Sequence, residues 1–157
     1  MLEQRIQQHF IDSADLKYQS AQALGKPVAA AVQALLACVT SGGKVLACGH
    51  GGSATLAQHF AAMFVGRFER ERPELGALAL TADGAILTAL ARSDDGAQVF
   101  ARQVRALVQA GDVLLAISTS GNAAPVLRAL EAAHEREMTV VALTGHGGGE
   151  MGQALRE

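Results

Sequence analysis

Apolar positions along the chain follow two different patterns. Over residues 2–24, Leu2, Ile6 and Phe10 recur at i, i+4 spacing among polar neighbours, which predicts an amphipathic helix. Gly25-Lys26-Pro27 is expected to break it. Val28, Val32, Leu35, Leu36 and Val39 predict a second helix over 28–41, stopped by Gly42-Gly43. Short continuous apolar runs follow at 44–48 (KVLAC), 75–80 (LGALAL), 112–117 (DVLLAI) and 138–143 (MTVVAL). Helical stretches at 53–68, 84–91, 97–109 and 123–136 lie between them. Runs without alternation predict strands buried on both faces. Their alternation with helices predicts a parallel sheet of βαβ units. The two leading helices have no strand of their own, a pattern that fits packing on a neighbouring subunit.

Composition narrows the class. The chain has 157 residues and a formal net charge of -2; 50% are hydrophobic, 4% aromatic, and there is no Trp. One domain, residues 1–157, is expected, with helices over 1–41 and an alternating βα core over 44–157. The chain is too apolar for disorder and too close to neutral for broad nucleic-acid binding. No uninterrupted apolar run approaches the roughly 20 residues of a membrane span, and the N-terminus has no signal-peptide core. A soluble cytoplasmic protein is expected. Cys38 and Cys48 have no zinc spacing and read as buried thiols in a reducing compartment.

Two strand ends carry distinctive chemistry. In open parallel sheets, ligands sit at the carboxyl ends of strands. The first end, Gly49-His50-Gly51-Gly52-Ser53-Ala54, runs into a helix. Its glycines let backbone approach a ligand, and the helix start aims free N–H groups at an anion. Ser53 is expected to cap that helix and to offer a hydroxyl. The second end, Ser118-Thr119-Ser120-Gly121-Asn122, places three hydroxyls and an amide before the next helix. Neither loop holds a Walker lysine, so nucleotide hydrolysis is not expected. The first loop fits G-x-G-x-x-[G/A] formally. A dinucleotide would also need an acid at the end of the next strand, whereas Asp83 lies three residues beyond that run. A phosphate monoester on a neutral polyol fits the hydroxyls better.

These residues resemble a known family. Gly49-His50-Gly51-Gly52-Ser53, Ala57-Gln58-His59-Phe60, Gly66-Arg67-Phe68, the stretch from Gly111 to Asn122, Val141-Ala142-Leu143-Thr144-Gly145 and Gly147-Gly148-Gly149 are similar to sugar isomerase (SIS) domains. Two branches come nearest: the phosphoheptose isomerases and the DnaA initiator-associating protein (DiaA). The resemblance implies an α/β three-layer sandwich with a parallel, flavodoxin-like sheet, preceded by two helices. It implies a homotetramer and a phosphosugar site at Gly51, Gly52, Ser53, Ser118, Thr119, Ser120 and Asn122. His50, His59 and Asp94 are further pocket-lining candidates.

Departures from the pattern shape the functional expectation. The isomerases carry a glutamate four residues after the His59 position, as catalytic base or metal ligand; here that residue is Met63. A thioether cannot take a proton from a sugar carbon. His50 replaces the family's usual Asn, and the family's Asn-Asp pair falls on Arg92-Ser93, with Asp94 and Asp95 adjacent. The family's final strand and helix, with its histidine, have no counterpart up to Glu157. The expected function is therefore a non-catalytic, DiaA-like regulator of DnaA-dependent replication initiation. It would bind a phosphorylated sugar, itself and DnaA, with no direct contact to nucleic acid or membrane. The alternative is a sedoheptulose 7-phosphate isomerase making heptose precursors for lipopolysaccharide. No catalytic residue and no cofactor are assigned; zinc enters only with the isomerase reading, where His59 is the one metal-ligand candidate. Arg67, Arg70 and Arg72 with Glu69 and Glu71 read as a solvated helix end or a subunit contact.

Overall fold

A computed structural model describes residues 1–92, 96–145 and 147–155. The chain divides into two compact units, residues 1–34 and 35–157. The first unit is wholly helical and belongs to α1, Leu2–Thr40. Side-chain bonds one turn apart brace it: the Gln8 amide donates to Asp12 at 2.7 Å and the Lys17 ammonium to Ser13 at 3.1 Å. Leu2, Ile6 and Phe10 are all exposed.

The helix differs from expectation at its middle, because Pro27 lies inside it and no break occurs. Proline removes one helical bond and costs about 3 kcal/mol. A break would instead require a second, unfavourable helix nucleus. Ala21–Leu24 and Val28–Ala31 on either side favour continuing the helix. The continuous helix also passes a length-and-composition measure for crossing a membrane, with an 18-residue window of mean hydropathy 1.5. Mostly buried core helices of soluble proteins and N-terminal signal sequences satisfy the same measure; this window is near the N-terminus and 6% of it is buried.

The second unit is built on a four-stranded sheet: β1 Val45–Gly49, β2 Ala77–Ala79, β3 Val113–Ser118 and β4 Thr139–Thr144. All neighbours pair in parallel, in the order β2-β1-β3-β4. The helices are α2 Gly52–Val65, α3 Gly84–Ala91, α4 Val99–Leu107, α5 Ala124–Glu135 and α6 Gly149–Ala154. The expected helix at 97–109 is α4 preceded by a 3-10 turn at Gly96–Gln98. The six-residue α6 has no counterpart in the apolar pattern, since its Gly147-Gly148-Gly149 approach does not look helical.

Alternation along the strands sorts the core. Leu46, Cys48, Leu114 and Ala116 pack with Phe100 and Val104 of α4, Val126 and Leu130 of α5 and Met151 of α6. The intervening Leu115 and Ile117 turn to the other face, toward α2. The central strands β1 and β3 are buried throughout, as continuous apolar runs predict. Strand β4 is not: Leu143 is half exposed, because β4 is the sheet edge among the described residues. Burial raises the Cys48 thiol to about 12, leaving it an inert core residue.

Candidate functional site

The chain leaves β1 for β2 on one side and reaches β3 on the other, so β1 and β3 are neighbours whose following helices diverge. That is a topological switch point, where open α/β sheets form their binding crevice. Register places Gly49 beside Ile117, which brings the two glycine-hydroxyl loops together at one edge.

In the first loop, glycine is required at position 49. A Cβ there would lie 2.4 Å from the Ser53 carbonyl oxygen. The first turn of α2 is thus laid directly over the end of β1. Ser53 N–H donates to His50 O at 3.2 Å and Ala54 N–H to Gly51 O at 3.0 Å. The helix cap is Gly51, with φ 60°, so Ser53 is the second residue of the helix and does not cap it as expected. Ser53 is buried, yet its hydroxyl has no partner among the described residues. No buried polar side-chain atom there is unsatisfied, so that hydroxyl opens to solvent. His50, Gly51 and Gly52 are exposed beside it.

The second loop is tied down more heavily. The Gly121 N–H reaches both Ser118 O, at 3.1 Å, and Ser118 Oγ, at 3.2 Å. Asn122 N–H donates to Ser120 Oγ at 3.1 Å. Ser118 is buried, while Thr119, Ser120 and Asn122 are exposed. Asn122 Oδ1 accepts the Glu150 N–H at 2.9 Å, so this side chain reaches toward α6.

Two residues outside the sequence proposal support the first loop. Gln58 Nε2 donates to Thr81 O at 3.0 Å, and Thr81 Oγ1 to Ala54 O at 3.4 Å. They join α2 to the end of β2, a link no local pattern announces. Asp83 caps α3 through the N–H groups of Ala85 and Ile86, at 2.9 and 3.0 Å. Its carboxylate is used locally, which removes the ribose-binding acid a dinucleotide would need. Arg72 donates to Phe64 O at 2.9 Å, and to Met63 O, closing the end of α2. The arginine cluster is thus partly a helix stop.

His59 is exposed and shares a cleft of about 320 Å³ with Met63 and with Leu56, Phe60, Phe64, Phe68, Leu115, Ile117 and Leu143. One imidazole and one thioether among aliphatic and aromatic walls do not make a zinc site, which needs three or four converging N, S or O donors. No cluster of three His, Cys, Asp or Glu suited to a metal occurs among the described residues. Asp94 and Asp95 lie outside the described residues.

Fold and loops together define a sugar-isomerase-type domain, and the SIS domain model matches residues 9–145. The chain belongs to the SIS domain family. Within it, the chain falls with the phosphoheptose isomerases. It is 64% identical to the phosphoheptose isomerase of Methylibium petroleiphilum over 157 residues, which is 100% of this chain and 78% of that one. The solved phosphoheptose isomerase of Neisseria gonorrhoeae matches with TM-score 0.91 and 47% identity, over 98% of this chain and 80% of the other. That of Francisella tularensis matches with TM-score 0.92 and 43% identity over the same shares.

These likenesses correct the functional expectation. The DiaA-like, non-catalytic reading rests on Met63 in place of glutamate and on the absence of a match to the family's final strand, helix and histidine. Identity spread over the whole chain outweighs these departures, and the similar proteins are phosphoheptose isomerases. Residue 63 reports on the chemistry of one position and does not mark a branch.

Proposed function

We propose that this chain binds a phosphoheptose across the carboxyl ends of β1 and β3 and acts as an aldose–ketose isomerase, with sedoheptulose 7-phosphate as substrate. The observation that carries the reading is the 64% identity to a phosphoheptose isomerase along the full length of the chain. The open Ser53 hydroxyl and exposed Thr119 and Ser120 support it, since hydroxyls and helix-start N–H groups hold phosphate without a lysine. Gly51 and Gly52 let the backbone approach the anion, and Ser118 shapes the second loop while keeping its O–H to donate. His50 and His59 line the approach. The donor set around His59 gives no basis for a step through zinc.

The same reading assigns a cytoplasmic homotetramer. Support comes from α1, whose apolar face is exposed in the single chain and which falls largely within the 98% matched to the solved isomerases. Residue 63 is then the weak point of the chemistry, because no carboxylate stands there to move a proton. Purified protein incubated with sedoheptulose 7-phosphate is expected to form the heptose product slowly. Met63→Glu is expected to raise kcat by about 10²–10⁴-fold, the usual worth of a positioned acid or base. Absence of both binding and product in the wild type and in Met63→Glu overturns the proposal.

A further inference from the structure

The loop at 118–122 does not hold its shape alone. Gly145 N–H donates to Thr119 O at 2.9 Å, Met151 N–H to Gly121 O at 3.0 Å, and Glu150 N–H to Asn122 Oδ1 at 2.9 Å. Of these three bonds from the β4–α6 segment, only the last uses a side chain. Packing between the two segments is close enough to exclude side chains. A Cβ on Gly121 would lie 2.0 Å from Gly148 O, and one on Gly149 would lie 2.4 Å from Ser120 O and 2.5 Å from Asn122 Oδ1. Asn122 therefore ties the loop twice: locally through its N–H to Ser120 Oγ, and remotely through its amide oxygen. A peptide N–H demands an acceptor, so the oxygen end of the amide is turned toward α6. A phosphate dianion offers only acceptors and cannot bond that oxygen.

From this we infer that Asn122 is a positioning residue: held by the Glu150 N–H, its side chain fixes the backbone and hydroxyls of 118–121 in the anion-binding arrangement. The inference rests on the proposed phosphosugar site and adds how that site is kept in shape. Its test compares wild type, Asn122→Leu and Asn122→Asp, each checked for folding by circular dichroism. Amide hydrogen exchange is read at Glu150, and the Kd for sedoheptulose 7-phosphate by calorimetry. Asn122→Leu should lose Glu150 protection and weaken binding about three- to tenfold, the worth of one net hydrogen bond. Asn122→Asp, which keeps an acceptor, should retain the protection. Wild-type protection or unchanged Kd in Asn122→Leu overturns the inference; a lower Tm with unchanged Kd overturns it equally, marking a purely structural residue. If Asn122→Leu fails to fold, Asn122→Ala removes the acceptor without adding bulk; it should show the same loss of affinity, and unchanged affinity overturns the inference. A wild type that ignores sedoheptulose 7-phosphate sinks the functional reading, and Glu150 exchange in Asn122→Leu then decides the positioning role alone.

Discussion

The two ends of the β1–β3 pair treat their polar groups in opposite ways. At the amino end, Asp112 is buried, and its carboxylate accepts Lys44 N–H at 2.9 Å, the Lys44 ammonium at 2.6 Å and Gln109 N–H at 2.8 Å. Every strong partner there is internal. At the carboxyl end, the Ser53 hydroxyl opens to solvent and Thr119 and Ser120 are exposed. Polar groups that satisfy one another contribute to stability; polar groups left open are available to a ligand. One strand pair thus carries a sealed end and a receptive end.

Mutations should separate the two ends by their readouts. The largest effect is expected from Asp112→Ala, which leaves Lys44 and two peptide N–H groups without their partner. It should cost about 3 kcal/mol in denaturant unfolding, while the Kd for sedoheptulose 7-phosphate at 25 °C stays unchanged. Gly121→Ala comes next and acts at the other end. Its Cβ would meet Gly148 O at 2.0 Å on a backbone with φ 69°, so a stability loss of about 2–3 kcal/mol should come with weaker phosphosugar binding. Ser53→Ala should invert the pattern of Asp112→Ala. Its Tm should hold within a degree or two, while binding falls by about 1.5 kcal/mol, roughly tenfold, for one hydrogen bond to a charged oxygen. A change in binding for Asp112→Ala, or in Tm alone for Ser53→Ala, would erase the distinction between the ends.

The smallest effect is in pH dependence. Burial pushes the Asp112 carboxyl up, but the Lys44 ammonium and the N–H groups of Lys44 and Gln109 outweigh it and hold the group below the usual carboxylate range. A depressed folded-state value gives stability that is fully present above the unfolded carboxylate value. It is lost as pH falls through the lower folded one. Acid titration of the unfolding free energy should show this loss in wild type and not in Asp112→Asn.

Much of this arrangement was readable from residues, and the unread part has a common cause. Strands β1 and β3 are central, so their apolar runs are continuous and their ends fall within about one residue of expectation. Both glycine-hydroxyl loops were located because they follow those runs directly. Pro27 misled because a local helix breaker competes with the cost of a second nucleus, which is not local. Ser53 was expected as a cap because its type suits one, whereas Gly51 takes that place through its backbone. The bond between Asn122 and Glu150 has no local signal, because Glu150 lies 28 residues on and is met only after the fold closes. Contacts that depend on topology leave no trace in a local pattern. Met63 is a different case: one changed residue does not outweigh 64% identity to a phosphoheptose isomerase along the chain.

The attachment of the second loop to α6 also concerns the order in which the chain is made. Every residue from Ser118 to Asn122 is in place well before Gly149, Glu150 and Met151 leave the ribosome. Until then Gly121 O and Asn122 Oδ1 lack the donors that meet them in the folded chain. A nascent chain stopped before residue 149 would contain both glycine-hydroxyl loops and hold only one of them in its finished shape. The finished shape of the second loop would arrive with two late peptide N–H groups, those of Glu150 and Met151.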